Sequence, residues 1–279
     1  MKSDPNWPGA YSSGFTLIEL VMVVAILGII GLAGTDFISR AFLGYSQTLA
    51  QLELYEEGKL ALVRLERELH NMVPNAICVT NDQGASCETD GTPGNEIRFG
   101  LISEDRMRAL NLRGTYSEGV IEFPMAASRP PTLTDGNGTA TPVTGLIVSL
   151  YNTGWADFSL GSRLFQVTAV SGGQMTFGGQ LLAQSSPRRR YYVVDKAVSC
   201  RWDSSTNILG RAVTTVGAAG VASFGAVTRY PLLKDVIDIN FYYAAPSLAR
   251  NGIISVDLTM TRNSQTVTLH KQIHVQNVP

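Results

Sequence analysis

Between Leu20 and Ala33 the chain is almost unbroken in apolar residues, and the approach to that run reads Gly14-Phe15-Thr16-Leu17-Ile18-Glu19. Phe15 to Gly34 is twenty residues, about 30 Å as an α-helix and enough to cross the hydrocarbon core of a bilayer. The segment therefore reads as a membrane-spanning helix, and the rest of the chain as whatever that anchor holds. Glu19 is the anomaly. A carboxylate at the bilayer centre costs roughly 3 kcal/mol, although Glu19 sits near the end of the run, where the cost is smaller. Two readings stand: its side chain reaches the headgroups of a simple anchor, or it meets a charged partner.

The string from Gly14 to Leu20 with its apolar tail resembles the processing and methylation segment of type IV pilins and type II secretion pseudopilins, over about the first thirty-five residues. The resemblance implies that a membrane-embedded aspartyl prepilin peptidase cuts after Gly14 and N-methylates the new first residue, Phe15. It also implies that Glu19 faces the terminal amine of a neighbouring subunit during assembly. The chemistry suits that role, because a buried acid and a buried amine relieve each other's desolvation in low dielectric. A secretory signal has a shorter apolar core with its cut site behind it. Here the implied cut precedes the core, so the anchor survives processing.

The leader departs from the family. Met1 to Ser13 carries one lysine, Lys2, offset by Asp4, with nothing basic just before Gly14. Family leaders hold Lys or Arg there, in line with the positive-inside rule. Met22, the next methionine, lies inside the run and offers no alternative start. The sparse charge bears on the efficiency of processing. Ala25, Gly28, Gly31 and Gly34 set a small residue at every third position; this is either a stripe for close helix packing or the ordinary glycine usage of membrane helices.

Beyond the anchor, a net charge of -1 with 16% charged residues gives no electrostatic case for nucleic-acid binding. Ile38, Phe42, Tyr45, Leu49 and Leu52 recur at helical spacing, and Leu62, Leu65, Leu69 and Met72 resume it after Gly58. Glu53, Glu56, Glu57, Lys59, Arg64, Glu66, Arg67 and Glu68 supply a wet face. Pro74 is expected to end the helix. A coiled coil is the alternative, disfavoured by the break in register at Gly58.

Strands are expected at 96–102, 119–123, 146–150, 164–170, 191–194 and 236–243, and the two arms 253–260 and 265–275 read as a hairpin turning around Arg262-Asn263-Ser264. Arg129 to Thr144, rich in proline and glycine, reads as an exposed loop. The expected organisation is a leader over 1–14, a transmembrane helix over 15–35, a helical spine over 36–73 and a β-rich domain over 74–279. That is an α+β layout, and it matches the pilin fold by resemblance: a long N-terminal helix packed on an antiparallel sheet.

Cys78 and Cys87 flank a ten-residue loop and are expected to form a disulfide if that part faces an oxidising periplasm. Cys200 is left over, as a buried small hydrophobe or as the true partner of one of the others. The spacing is not that of zinc ligands, and no metal or other cofactor is expected. His270 and His274 share a strand face but lack a third ligand. The Asn81-Asp82 and Asp90-Gly91 pairs lack the ligand count for calcium. Arg188-Arg189-Arg190 reads as a solvated loop rather than an anion grip. With no nucleophile elbow, phosphate loop or zinc motif, the expectation is a non-enzyme that works through assembly surfaces.

The chain is long for a major pilin subunit. Arg64 to Leu69 running into Val73-Pro74-Asn75, Ser185 to Val194, and His270 to Pro279 resemble, in patches, the MshO-type minor pilins of the mannose-sensitive haemagglutinin (MSHA) pilus. The resemblance implies a subunit that primes, joins or caps a pilus, with prepilin peptidase and other minor and major pilins as partners. Its implied location is the inner membrane with a periplasmic globular domain, and the pilus tip or cell surface after assembly. The J-type minor pseudopilin of type II secretion shares the anchor, the long helix and the large sheet domain. A membrane-tethered adhesin or binding protein is the alternative of a different class.

Overall fold

The computed structural model describes residues 14–81, 86–88, 90–109, 126–127, 144–171, 174–178, 186, 190–246 and 251–275. The chain forms two compact units, Met1–Ala50 and Gln51–Pro279. Helix α1 (Leu17–His70) runs through the boundary. After it come β1 (Met72–Thr80), β2 (Glu96–Ile102), the short helix α2 (Glu104–Ala109), β3 (Ala126–Ala127), β4 (Ile147–Leu150) and the short helix α3 (Trp155–Ser159). The chain continues through β5 (Leu164–Ser171), β6 (Gln174–Gly178), β7 (Tyr191–Asp203), β8 (Ile208–Gly217), β9 (Gly220–Val221), β10 (Tyr230–Leu233), β11 (Val236–Ala244), β12 (Gly252–Arg262) and β13 (Gln265–Val275). A long helix followed by an antiparallel β domain is the α+β arrangement expected.

In the first unit, every large apolar residue from Phe15 to Leu32 is exposed. A helix that is apolar all round and buries none of it has no partner in its own unit, so its natural solvent is lipid or other helices. In the second unit the same helix turns one-sided. Leu54, Ala61, Leu62, Leu65 and Leu69 are buried on one stripe and join a core with Phe99, Val198, Phe241, Val256, Leu258 and Met260. Gly58 lies on that stripe between Leu54 and Leu62. A Cβ there would come within 2.7 Å of Leu269 Cδ1 and 2.9 Å of Met260 Sδ. The break in hydrophobic rhythm at Gly58 is therefore a point where helix and sheet side chains pack too closely for a Cβ, not a fault in the helix.

The spine is shorter than the expected 36–73. The helix stops at His70, and Pro74 lies inside β1. Two features let a strand take the proline. In the main sheet β1 is a terminal strand, where a missing N–H costs little. Its pairing with β2 also shifts register between Met72 and Ile77, with Asn75 at a φ of 60°. Burial of Val73, Ala76 and Cys78 on one face and of Met72, Ile77 and Val79 in the main core outweighs the helical periodicity that had included Met72.

The main sheet runs β1-β2-β7-β4-β5-β6-β3, entirely antiparallel in its pairings, and forks at β7. Val194 pairs with Ile102 on one side and Ile147 on the other, and further along that second side β7 pairs with β8. The second sheet is β11-β12-β13. Its hairpin closes with Arg262 opposite Gln265 and with Asn263 and Ser264 at φ of 50° and 62°, the two-residue turn that matches strand twist. The expected strand at 191–194 extends to Asp203, and β1 and β8 were not foreseen. The expected strand at 119–123, the expected leader up to Ser13, the loop 129–143 and the arginines 188 and 189 lie outside the described residues.

Cys78 and Cys87 are bonded, with Cα atoms 5.2 Å apart. By loop entropy alone such a short loop contributes about 2–3 kcal/mol. Cys200 is free and fully buried in the main core. Burial, aided by the Glu68 charge, pushes its thiol pKa up to about 12, so it stays protonated and unreactive.

Candidate functional site

The N-terminal segment is built around Thr16. Gly14, Phe15 and Thr16 precede the helix, and the Thr16 carbonyl accepts from the Glu19 and Leu20 N–H groups at 3.1 and 3.2 Å. The Thr16 hydroxyl also accepts from the Glu19 N–H at 3.3 Å. This is an N-cap, and it fixes where the helix begins. The spacing Thr16-x-x-Glu19 is a capping-box signature; the sequence reading weighed Glu19 only for its charge and passed over Thr16.

Two consequences follow. The Gly14–Phe15 peptide lies outside the helix, and a Cβ at Gly14 would meet nothing within 4 Å. Glu19, meanwhile, stands in the first helical turn, where the helix dipole favours a carboxylate. It is exposed, and among the described residues it makes no ion pair. Phe15 is 77% exposed.

The apolar helix that carries this cap passes through Gly28, Gly31 and Gly34, whose faces are open. Thr35 returns its hydroxyl to the Gly31 and Leu32 carbonyls at 2.8 and 3.0 Å, the way a polar side chain is satisfied inside a helix. The first charges after the run, Asp36 and Arg40, pair at 2.9 Å. By length and composition this helix is able to cross a membrane.

The histidines do not form a site. His270 and His274 are both exposed on β13, and His270 Nδ1 contacts Asp257 across the strand pair. No group of three or more metal-ligating side chains occurs among the described residues.

A charged cluster that sequence reasoning missed lies in the second unit. Glu96 is 1% exposed. Arg98 holds it bidentately, Nε to Oε1 and Nη2 to Oε2, both at 3.0 Å. The Ser199 hydroxyl donates to Oε1, and Arg229 Nη2 lies 3.7 Å from the same oxygen. Burial pushes the Glu96 carboxyl up, but the hydrogen bonds from Arg98 and Ser199 and the charges of Arg98 and Arg229 outweigh it and hold it below the usual range. A second network ties helix to sheet: Arg262 bonds Glu57 at 2.8 and 3.1 Å and Asp235 at 2.7 Å. These partners stand up to 205 positions apart, so no local motif announces them.

No curated protein and no solved structure matches the chain. Residues 10–35 match the family model described as the prokaryotic N-terminal methylation motif. The capped, apolar N-terminal helix with its acidic third residue is thus the body of that motif, which supports a type IV pilin-like or pseudopilin character for this chain.

Proposed function

We propose that the chain is a minor type IV pilin, of the MshO type, that primes, joins or caps a pilus. In this reading prepilin peptidase cuts after Gly14 and methylates Phe15, and the helix over 15–35 holds the product in the inner membrane with the β domain in the periplasm. Assembly with other minor and major pilins runs through helix packing and through Glu19, which meets the terminal amine of a neighbour. The role is structural rather than catalytic. The observation that carries the reading is the methylation motif on a capped helix whose large apolar residues up to Leu32 are all exposed.

The finer assignment, pilus rather than secretion, rests on the patches at 64–75, 185–194 and 270–279 that resemble MshO-type subunits. It is tested by quantitative mass spectrometry of sheared surface filaments and of detergent-extracted membranes from the native cell. A minor pilin appears in the filaments at a small fraction of the major subunit and disappears when the prepilin peptidase is deleted. Absence from filaments, with recovery among components of a type II secretion apparatus, would assign it instead as a J-type pseudopilin. Recovery as an unassembled membrane protein would favour a tethered binding protein.

A further inference from the structure

One cavity of about 610 Å³ in the second unit is lined by three guanidiniums, Arg98, Arg201 and Arg229, against two carboxylates, Glu96 and Asp203. The carboxylates do not balance them locally. Glu96 serves both Arg98 and Arg229, and Asp203 turns to Ser205, accepting from its N–H at 3.0 Å and its hydroxyl at 2.7 Å. Among the described residues Arg201 makes no ion pair within 4 Å. Among the described lining residues three cations face two anions, a positive excess in a concave, part-enclosed place, where field lines concentrate and an anion is favoured. Burial, with the neighbouring charges of Arg201 and Arg98, pulls the Arg229 pKa down against the opposing charge of Glu96.

The walls are not uniformly polar. Phe224 lies 5.8 Å from the Arg98 guanidinium, ring centre to carbon, and Trp155, from α3, contributes a second aromatic surface. The volume lies within the range of small-molecule sites, and a few convergent charges beside aromatic walls are how such sites orient a ligand. A guanidinium fork matches a carboxylate in two hydrogen bonds. The surplus of one unit charge suits a monoanion, whereas a phosphate ester dianion would exceed it.

We propose that this cavity binds a small carboxylate-bearing molecule, with its carboxylate on Arg201 beside Arg98 and its body against Phe224 and Trp155. The proposal stands apart from the assembly reading, since it uses only residues of the second unit. It is tested by titrating the full chain in non-ionic detergent with D-glucuronate and with benzoate, using D-glucose and inorganic phosphate as comparators. At least one carboxylate is expected to bind saturably, with D-glucose showing no saturation. Arg201→Gln is expected to weaken binding about tenfold, the lower end of the worth of a hydrogen bond to a charged group, while Arg67→Gln on the exposed face of α1 leaves it unchanged. Ala222→Trp, at the exposed rim, leaves the arginines in place and is expected to block entry. Circular dichroism of each variant verifies folding. The proposal is overturned by failure of both carboxylates to saturate, by binding that survives Arg201→Gln or Ala222→Trp, or by phosphate binding tighter than either carboxylate.

Discussion

Glu19→Ala is expected to leave the chain fully inserted in the membrane and to remove it from assembled filaments. Insertion is safe because the substitution deletes the one charge in the apolar run, which lowers the cost of placing the helix in lipid. The helix start is safe as well. Thr16 is capped onto the backbone N–H of residue 19, not onto its side chain, and alanine keeps that donor. What is lost, on the proposed reading, is the partner for a neighbour's terminal amine. Leaving one charge of a buried pair uncompensated costs about 3 kcal/mol, roughly a hundredfold in an association constant. The measurement is the ratio of this chain in sheared filaments to that in membranes, wild type against variant. An unchanged ratio would remove Glu19 from the assembly contact and return it to the role of a headgroup-seeking side chain.

Glu96→Gln is expected to be the most damaging isosteric change in the β domain. Gln keeps the shape and one acceptor for Arg98 but deletes the carboxylate that Arg98 and Arg229 share. Those side chains are 14% and 20% exposed, so they are poorly placed to recover hydration. The expected loss is about 3 kcal/mol, the lower end for breaking a buried pair, or roughly 6–12 °C in Tm for a domain of this size. The pH dependence supplies the sign. Because the folded-state pKa of Glu96 is depressed below its usual 4.5, its contribution is fully present above that value and is lost as pH falls through the folded-state pKa. Thermal unfolding of the full chain in detergent between pH 7 and pH 3 checks this. The wild type and the variant differ most at neutral pH and converge in acid; a gap that stays constant would show that the charge of Glu96 contributes nothing.

The elements that sequence foretold are those whose pattern is local. The exposed apolar helix and the β12–β13 hairpin are read from runs of adjacent residues, because one face or all faces are apolar along a continuous stretch. Glu96 to Ile102 was foreseen with its bounds unchanged. β1 was not, because Pro74 argues against a strand everywhere except at a sheet edge or a bulge, and sequence does not reveal that β1 is both. The later part of β7 and the whole of β8 were hidden for another reason. Ser199, Arg201, Asp203 and Arg211 interrupt the apolar alternation. Ser199 and Arg211 are tolerated because Glu96, 103 positions from the first, and Glu68, 143 positions from the second, meet them; Arg201 and Asp203 are only half-buried. The charged cavity was invisible for the same reason, since Arg98, Arg201 and Arg229 converge only once β2, β7 and the segment before β10 are in place. Gly58 was legible as an oddity but not as a contact. Thr16, three residues before Glu19, is a helix-start signal that the sequence carries locally.

The central claim is that the Gly14–Phe15 bond is cut and that the amine so released becomes the charge that Glu19 answers. Intact-mass and N-terminal peptide mass spectrometry of the chain purified from native membranes tests it most directly. The account predicts a mature protein that begins with N-methylated Phe15. A mature protein that still begins at Met1, with residues 1–14 attached, would contradict it.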